Sequence, residues 1–386
     1  MLCTRLENDC RKVQNLKIGI IANTSWYIYN FRASLISALI ENGHTIFVFA
    51  PKDNYSKSLI QLGVKYYNWD LDRLNTNPIY EVISLFRLYR LLRKNNIEMN
   101  LSYTPKGNIH SSIISMYSNI DIINNISGMG TTRNGRSILS KTIVTLYKLL
   151  LQKSVIVFFQ NVEDRNYLLG EQLSLKVNSD ILPGSGVDLR HFDIQYHISP
   201  NRFDFLLSAR LLIEKGVYDF IEACKIIRSR NFEIKCALVG PIESNKHGIN
   251  ASQIDEWEND GIVEYLGFTD DIREILKDIK CFVLPSYYGE GVPRGLLEAA
   301  SMGIPLITTE HPGCRDTVID EISGFLCEIR NPKDLAEKMI RILEMTDSEI
   351  LLMGGQGRKK MIAEYDEKIV IGKYLNIINR YRTSLN

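Results

Sequence analysis

The chain has 386 residues, 45% of them hydrophobic and 24% charged, so it is too long for one core, predicts two lobes, and is unlike a disordered segment. No stretch of about 20 apolar residues is free of charge, which excludes a spanning helix, and the opening Met1–Lys17, with Arg5, Glu7, Asp9, Arg11 and Lys12, lacks the apolar run of a signal peptide. Seven scattered cysteines with no C-x-x-C pair read as reduced, mostly core residues of a cytoplasmic protein.

The net charge of +1 conceals two halves: residues 1–190 carry 22 basic against 14 acidic side chains, and residues 191–386 carry 24 against 31. Within 82–153 there are ten basic residues and only two acidic ones, Glu98 and Asp121. Such a patch implies an anionic partner.

Through the first half, apolar runs predict strands at Lys17–Ala22, Thr45–Ala50, Met99–Tyr103, Asp121–Ile126, Val155–Gln160 and Lys176–Leu182, separated by crossover-length helices. Near-continuous runs such as TIFVFA and VIVFF suit a parallel sheet buried on both faces. A Pro/Gly/Ser cluster at 182–192, with polar residues to Pro200, predicts a linker. Strands at Phe203–Leu207, Lys235–Val239, Val263–Leu266, Cys281–Leu284 and Leu306–Thr308 then alternate with helices near 216–230, 253–259, 270–279, 292–302 and 332–345. The fold class is α/β with two doubly wound parallel sheets, and 366–382 predicts a terminal helix. The expected domains are 16–190, 200–365 and the closing segment 366–386.

In such sheets ligands bind beyond the carboxyl ends of the strands. Residues 282–309 run from a strand into a glycine-rich loop at Gly289–Gly291 and on into a helix, with Glu290 before its start and Glu298 about two turns in. Helix-start N–H groups suit a phosphate, and carboxylates accept hydrogen bonds from sugar hydroxyls. The stretch 206–220 ends a strand at Ser208 and Ala209, then offers Arg210 and Lys215 before Gly216 opens a helix. Two cations there suit a diphosphate, the guanidinium as a fork and the ammonium as a point charge.

These stretches, SARLLIEKG and EGVPRGLLEA, with VEYLGFTDDIREIL and CFVLPSYY between them, resemble retaining glycosyltransferases of family 4 with the GT-B fold. The resemblance runs through YNFRASLISALIENGHTIFVFAPKDNY, NNISGMG and FFQNVEDRNYL to EYDEKIVIGKYLNIINRY, and is strongest to bacterial enzymes extending undecaprenyl-diphosphate sugars during O-antigen assembly. It implies two Rossmann-like domains with a cleft between them, an N-terminal acceptor domain, a C-terminal donor domain and a final helix returning to the first. It further implies that Arg210 and Lys215 bind the donor diphosphate and stabilise it on departure, that Glu290 contacts the donor sugar, and that Glu298 holds the ribose. Gly291 and Val292 would supply backbone N–H groups, Phe268 would meet the base, and Ser208 closes the donor site. The chain departs from the family where ANTSWYIYNF replaces a paired glycine, and where NNISGMG offers Asn125, Ser127 and Gly128 in place of a histidine.

The implied donor is a UDP-sugar (UDP-GalNAc, UDP-GlcNAc or UDP-Gal), and the implied acceptor is a polyprenyl-diphosphate saccharide. Lys106 at a helix start is a candidate for the acceptor phosphate, whereas His110 in that helix reads as solvated. Asp70 and Asp72 form a D-x-D in a loop-like stretch of the basic half, away from the diphosphate cations, and no metal or other cofactor is expected. Residues 82–94 are read as an amphipathic helix with Val82, Leu85, Phe86, Tyr89 and Leu92 on one face and Arg87, Arg90 and Lys94 on the other. With Lys141 and Lys148 these cations are expected to meet the anionic inner face of the cell membrane; no motif points to nucleic acid. A soluble acceptor, a twin-Rossmann epimerase or phosphorylase, and a non-catalytic sugar- or lipid-binding module are the alternatives.

Overall fold

The computed structural model describes residues 15–72, 77–130, 138–194, 202–243 and 247–384. The opening segment with Cys3 and Cys10, and part of the expected linker, lie outside the described residues. The described residues divide into two compact units: those within 15–127, 138–182 and 371–384 form the first, and those within 128–130 and 183–370 the second.

The first unit holds one seven-stranded sheet of β1 (Lys17–Ile21), β2 (Thr45–Ala50), β3 (Lys65–Asn68), β4 (Met99–Ser102), β5 (Asp121–Ile126), β6 (Ile156–Phe159) and β7 (Ser179–Ile181). Every pairing is parallel and the order is β3-β2-β1-β4-β5-β6-β7, as in doubly wound dinucleotide-binding sheets. The central strands are apolar on both faces because helices cover both: Ile18, Ile20 and Ile21 of β1 and Ile46 to Ala50 of β2 are all buried. The crossovers are α1 (Ser25–Glu41), α2 (Ser56–Gln61), α3 (Pro78–Lys94), α4 (Pro105–Met116), α5 (Ile138–Leu150) and α6 (Val162–Ser174). Thr24 caps α1 by accepting the Tyr27 N–H at 3.1 Å.

Helix α3 corrects the expectation for residues 82–94. It turns Ser84, Leu88 and Leu92 inward, one full turn apart, while Val82 and Phe86 are 65% and 52% exposed and share a face with the cations. Leu85 and Tyr89 pack only along the margin. The inner ridge follows i+4 spacing, and Ser84 lies on it because the Trp69 indole N–H reaches its carbonyl.

The second unit holds a six-stranded parallel sheet of β8 (Phe203–Ser208), β9 (Cys236–Val239), β10 (Glu264–Tyr265), β11 (Ile279–Leu284), β12 (Leu306–Thr309) and β13 (Gly324–Cys327), in the order β10-β9-β8-β11-β12-β13. Its helices are α7 (Val217–Ser229), α8 (Ala251–Asn259), α9 (Arg273–Leu276), α10 (Arg294–Ser301), α11 (Pro332–Glu344) and α12 (Asp347–Lys360). Phe205 and Leu207 enter one core cluster and Leu206 the other, the alternation of a strand buried on both sides. Helix α13 (Glu367–Ser384) begins in the second unit and from Ile371 belongs to the first, where the Tyr374 ring lies 4.8 Å from that of Phe158 and Lys373 bonds Asp180 at 2.7 Å. No helix among the described residues is long and apolar enough to cross a membrane.

Candidate functional site

The second unit concentrates chemistry at the carboxyl ends of β8 and β11. After β8, the chain passes Arg210 and makes a short turn through Ile213–Lys215 before Gly216 opens α7. Gly216 has φ +78°, and a Cβ there would overlap the carbonyl oxygen of Pro285, so only glycine lets α7 start against the loop after β11. This close approach brings Lys215 to that loop. Its ammonium pairs with Glu290 Oε1, and the Ser286 hydroxyl donates to the same oxygen at 3.1 Å. Ser286 also reaches the Glu214 carbonyl, and the Tyr287 N–H bonds that carbonyl at 2.9 Å, which ties the two loops together.

Arg210 sits at the rim. Its guanidinium is 40% exposed, lies 3.7 Å from Glu243 and stands 5.9 Å over the ring of Tyr288. The Lys215 ammonium is 5.4 Å from the same ring. Tyr288 therefore presents its π face to both cations. The two carry positive charge to one place at a strand end, with carboxylates at hand and an aromatic wall beneath.

The glycine loop follows. Gly130, whose segment groups with the second unit, donates its N–H to the Gly289 carbonyl at 2.9 Å. A Cβ on Gly128, at φ +114°, would stand 2.5 Å from the Gly291 nitrogen and 2.6 Å from the Gly289 oxygen. Gly128 and Gly130 thus meet the loop backbone to backbone. Val292 and Pro293 lead into α10, whose N-cap residue, Pro293, makes no side-chain cap hydrogen bond.

Glu298, one turn into α10, bonds the Nε–H of Arg294 at 2.6 Å. Burial pushes its carboxyl above the usual range; Arg294 opposes the shift and nearby Asp271 adds to it. A carboxylate held in so dry a place is suited to accept hydroxyl hydrogen bonds. Phe268 stands 53% exposed after β10, and Ser208 ends β8, its carbonyl close to Gly295. Cys314, buried beside Glu290, has its thiol pushed up to about 12 and is inert at neutral pH.

Four of the donor-side residues read from the sequence, Lys215, Glu290, Gly291 and Arg210, line the adjoining loops after β8 and β11, Ser208 ends β8 itself, and Glu298 projects from the helix that continues the second loop. The acceptor-side candidates in the first unit are more dispersed. Asn125 is fully buried, its amide bonding Tyr374 Oη at 3.1 Å, and Ser127 lies 3.5 Å from the Tyr27 hydroxyl. Lys106 bonds Glu81 at 2.6 Å and the Asp72 carbonyl at 2.7 Å. His110, expected to be solvated, is only 4% exposed and bonds the Lys106 and Glu81 carbonyls, because α4 lies against α3 and Trp69 there. Arg87 pairs with Asp70 at 3.0 Å, while Arg90 covers Phe86 at 4.4 Å. Lys94 and Lys141 are exposed and Lys148 half-buried. Among the described residues, no group of three or more His, Cys, Asp or Glu side chains is placed to hold a metal ion.

Sequence reading missed Ser286, Tyr288, Glu243 and the side chain of Arg294. An aromatic pair in PSYYGEG marked a wall only in hindsight of the fold, and the i,i+4 spacing of Arg294 and Glu298 was the one local signal available. It also missed Arg32, a cation 2% exposed that lies 4.5 Å over the Tyr103 ring.

Residues 191–361 match the family described as "Glycosyl transferases group 1". The chain is 27% identical over 384 residues, 95% of its length and 99% of the relative's, to the N,N'-diacetylbacillosaminyl-diphospho-undecaprenol alpha-1,3-N-acetylgalactosaminyltransferase of Campylobacter jejuni. It is 27% identical over 306 residues to the UDP-Gal:alpha-D-GlcNAc-diphosphoundecaprenol alpha-1,3-galactosyltransferase of Escherichia coli, covering 75% of this chain and 76% of that one. Among solved structures, the sucrose-phosphate synthase of Thermosynechococcus elongatus superposes with a TM-score of 0.79 at 17% identity, over 96% of this chain and all of the other. That likeness is one of fold: two Rossmann-like parallel-sheet domains of the GT-B kind.

Proposed function

We propose that this glycosyltransferase moves a hexose or N-acetylhexosamine from a UDP-sugar to a saccharide carried on undecaprenyl diphosphate, in surface-polysaccharide assembly. The enzyme class rests on the matched family and on two relatives, one matching 95% of the chain and the other 75%. The acceptor class rests on the undecaprenyl-diphosphate saccharides named in the two relatives, and the candidate donors are UDP-GalNAc, UDP-GlcNAc and UDP-Gal. The single observation that carries the reading is the meeting of Lys215 and Glu290 beside the Gly289–Gly291 loop, with Arg210 over Tyr288.

In this reading Lys215 and Arg210 take the developing charge of the departing UDP, in a setting where Lys215 is mostly shielded from water. Glu290 holds the donor sugar, the Gly291 and Val292 backbone meets sugar or phosphate, and Glu298 accepts the ribose hydroxyls. Phe268 lies where the base would sit. Both relatives form alpha linkages, and an alpha product from an alpha-configured nucleotide sugar means net retention, in keeping with family 4. Two cations and a helix start supply the charge that a divalent ion would otherwise bring, so turnover without added metal belongs to the proposal. So does peripheral attachment to the inner membrane face through Arg87, Arg90, Lys94, Lys141 and Lys148.

The test is a screen of UDP-sugars against a short-chain polyprenyl-diphosphate saccharide, with mass analysis of the products. One sugar added to the acceptor, with release of UDP, is the expected result. An isomerised nucleotide sugar without transfer would replace this reading with the epimerase.

A further inference from the structure

We propose that α3 enters an anionic bilayer obliquely, its first two turns inserted among the acyl chains and its last two held at the headgroups. The inference rests on the lipid-borne acceptor proposed above. Ile79, Val82, Ile83 and Phe86 are 71%, 65%, 46% and 52% exposed, a run of large apolar side chains on the surface of one helix. At about 100° per residue these four share a face with Arg87, Arg90, Arg93 and Lys94, all eight within an arc of roughly 140°. Ser84, Leu88 and Leu92 occupy the opposite side, buried against the sheet. Glu81, the acidic residue of the first turn, is directed away from this face and bonds Lys106 and His110.

The face is divided along the helix axis. Its first half, Ile79 to Phe86, is apolar over about 10 Å, and its second half, Arg87 to Lys94, is cationic over about the same length. Hydrocarbon followed by phosphate is the layering of a bilayer edge, and interfacial helices bury their apolar part about 5–10 Å deep. A protein partner fits this pattern poorly, since protein interfaces place an apolar centre inside a polar rim. A second copy fits no better: parallel pairing sets cations against cations, and antiparallel pairing sets them against the apolar half. Arg90, stacked on Phe86 at 4.4 Å, marks the boundary, its stem on the ring and its charge free to reach a phosphate.

The experiment compares the parent with a triple variant, Ile79→Ser, Val82→Ser and Phe86→Ser, by co-sedimentation with phosphatidylcholine vesicles containing about a third phosphatidylglycerol. The parent is expected to bind, and to keep a measurable part of that binding at about 0.5 M salt, where charge is screened. The triple variant is expected to lose about tenfold at low salt and all of the salt-resistant part. A fluorophore on Val82→Cys is expected to shift blue on vesicles and one on Lys94→Cys to stay polar. Activity on a water-soluble acceptor, unchanged in the triple variant, shows that the fold is intact. Equal binding by parent and triple variant, complete loss of parent binding in salt, or a parent dimer that the triple substitution dissociates while vesicle binding persists, would each overturn the proposal. Insertion as described without turnover of any polyprenyl-diphosphate acceptor would remove the acceptor reading alone.

Discussion

The ammonium of Lys215 and the carboxylate of Glu290 pair at the carboxyl ends of two neighbouring strands, and each side chain keeps only 11% of its exposure. A pair this dry holds two charges that water no longer stabilises, so each depends on the other and on the Ser286 hydroxyl. In the proposed function a donor diphosphate and its sugar would divide the pair without stranding either member, phosphate taking the cation and hydroxyls the carboxylate. Arg210, more exposed and 3.7 Å from Glu243, is the cation that solvent already reaches.

Lys215→Ala is expected to lower kcat with saturating donor by about 10²–10³-fold, the scale of one removed electrostatic stabiliser. It also leaves Glu290 without its counter-charge, so the urea midpoint falls as well. Arg210→Ala is expected to cost a similar factor in kcat with little change in that midpoint, because its present partnership is rim-exposed. Steady-state rates with saturating donor, read beside urea unfolding, separate the two. Unchanged rates would remove the pair from the leaving-group role.

Two glycines give opposite expectations. Gly128→Ala places a methyl 2.5 Å from the Gly291 nitrogen in a φ +114° backbone, so it displaces the donor loop and lowers kcat at least about tenfold. Gly355→Ala, inside α12 with nothing within 4 Å of the new methyl, is expected to stabilise the protein by about 0.5–1 kcal/mol and leave activity alone. Thermal unfolding and initial rates of both variants check the contrast.

The strands that organise the two sheets were legible because their apolar runs are continuous and their crossovers are long. Edge strand β3, KYYN, was not: at an edge the burial pattern weakens, and its polar ends look like a loop. Strand β13 opens on a glycine, and α12 hides behind MGGQG, three glycines that propensity assigns to turns although Thr346 and Glu349 cap it in a box. That the cations and carboxylates gather at the ends of β8 and β11 was legible because motif residues stay close to the strand ends that present them. Ser286 and Tyr288 were not, since which loop residue faces a ligand is set by the path of the backbone. The reading of α3 failed for a related reason: the stripe of Val82 and Phe86 has helical spacing whether it faces a core or solvent.

Chelation supplies a further check. With Arg210, Lys215 and the start of α10 supplying positive potential, initial rates in EDTA are expected to match those without it. Loss of rate in EDTA that manganese restores would instead direct attention to Asp70 and Asp72, where Asp70 now pairs with Arg87.

Glu298 gives a signed dependence on pH. Its carboxyl is raised above its ordinary value by burial, with Arg294 opposing, so between the unfolded and folded values the native state holds more proton than the unfolded chain. Stability from this group is therefore present below the ordinary carboxylate range and declines as pH rises through the raised folded value. Glu298→Gln carries no titrating proton and escapes that decline. The stability of the variant relative to the parent is expected to increase with pH across the window just above the ordinary glutamate value and then level off. The same change removes a charged acceptor from the ribose, so the donor KM is expected to rise about tenfold or more at neutral pH, the scale of a hydrogen bond to a charged group. Urea unfolding between about pH 4 and 8, set beside donor KM at neutral pH, reads both. A pH-independent stability difference would show that burial does not govern the carboxyl, and an unchanged KM would take Glu298 out of donor binding.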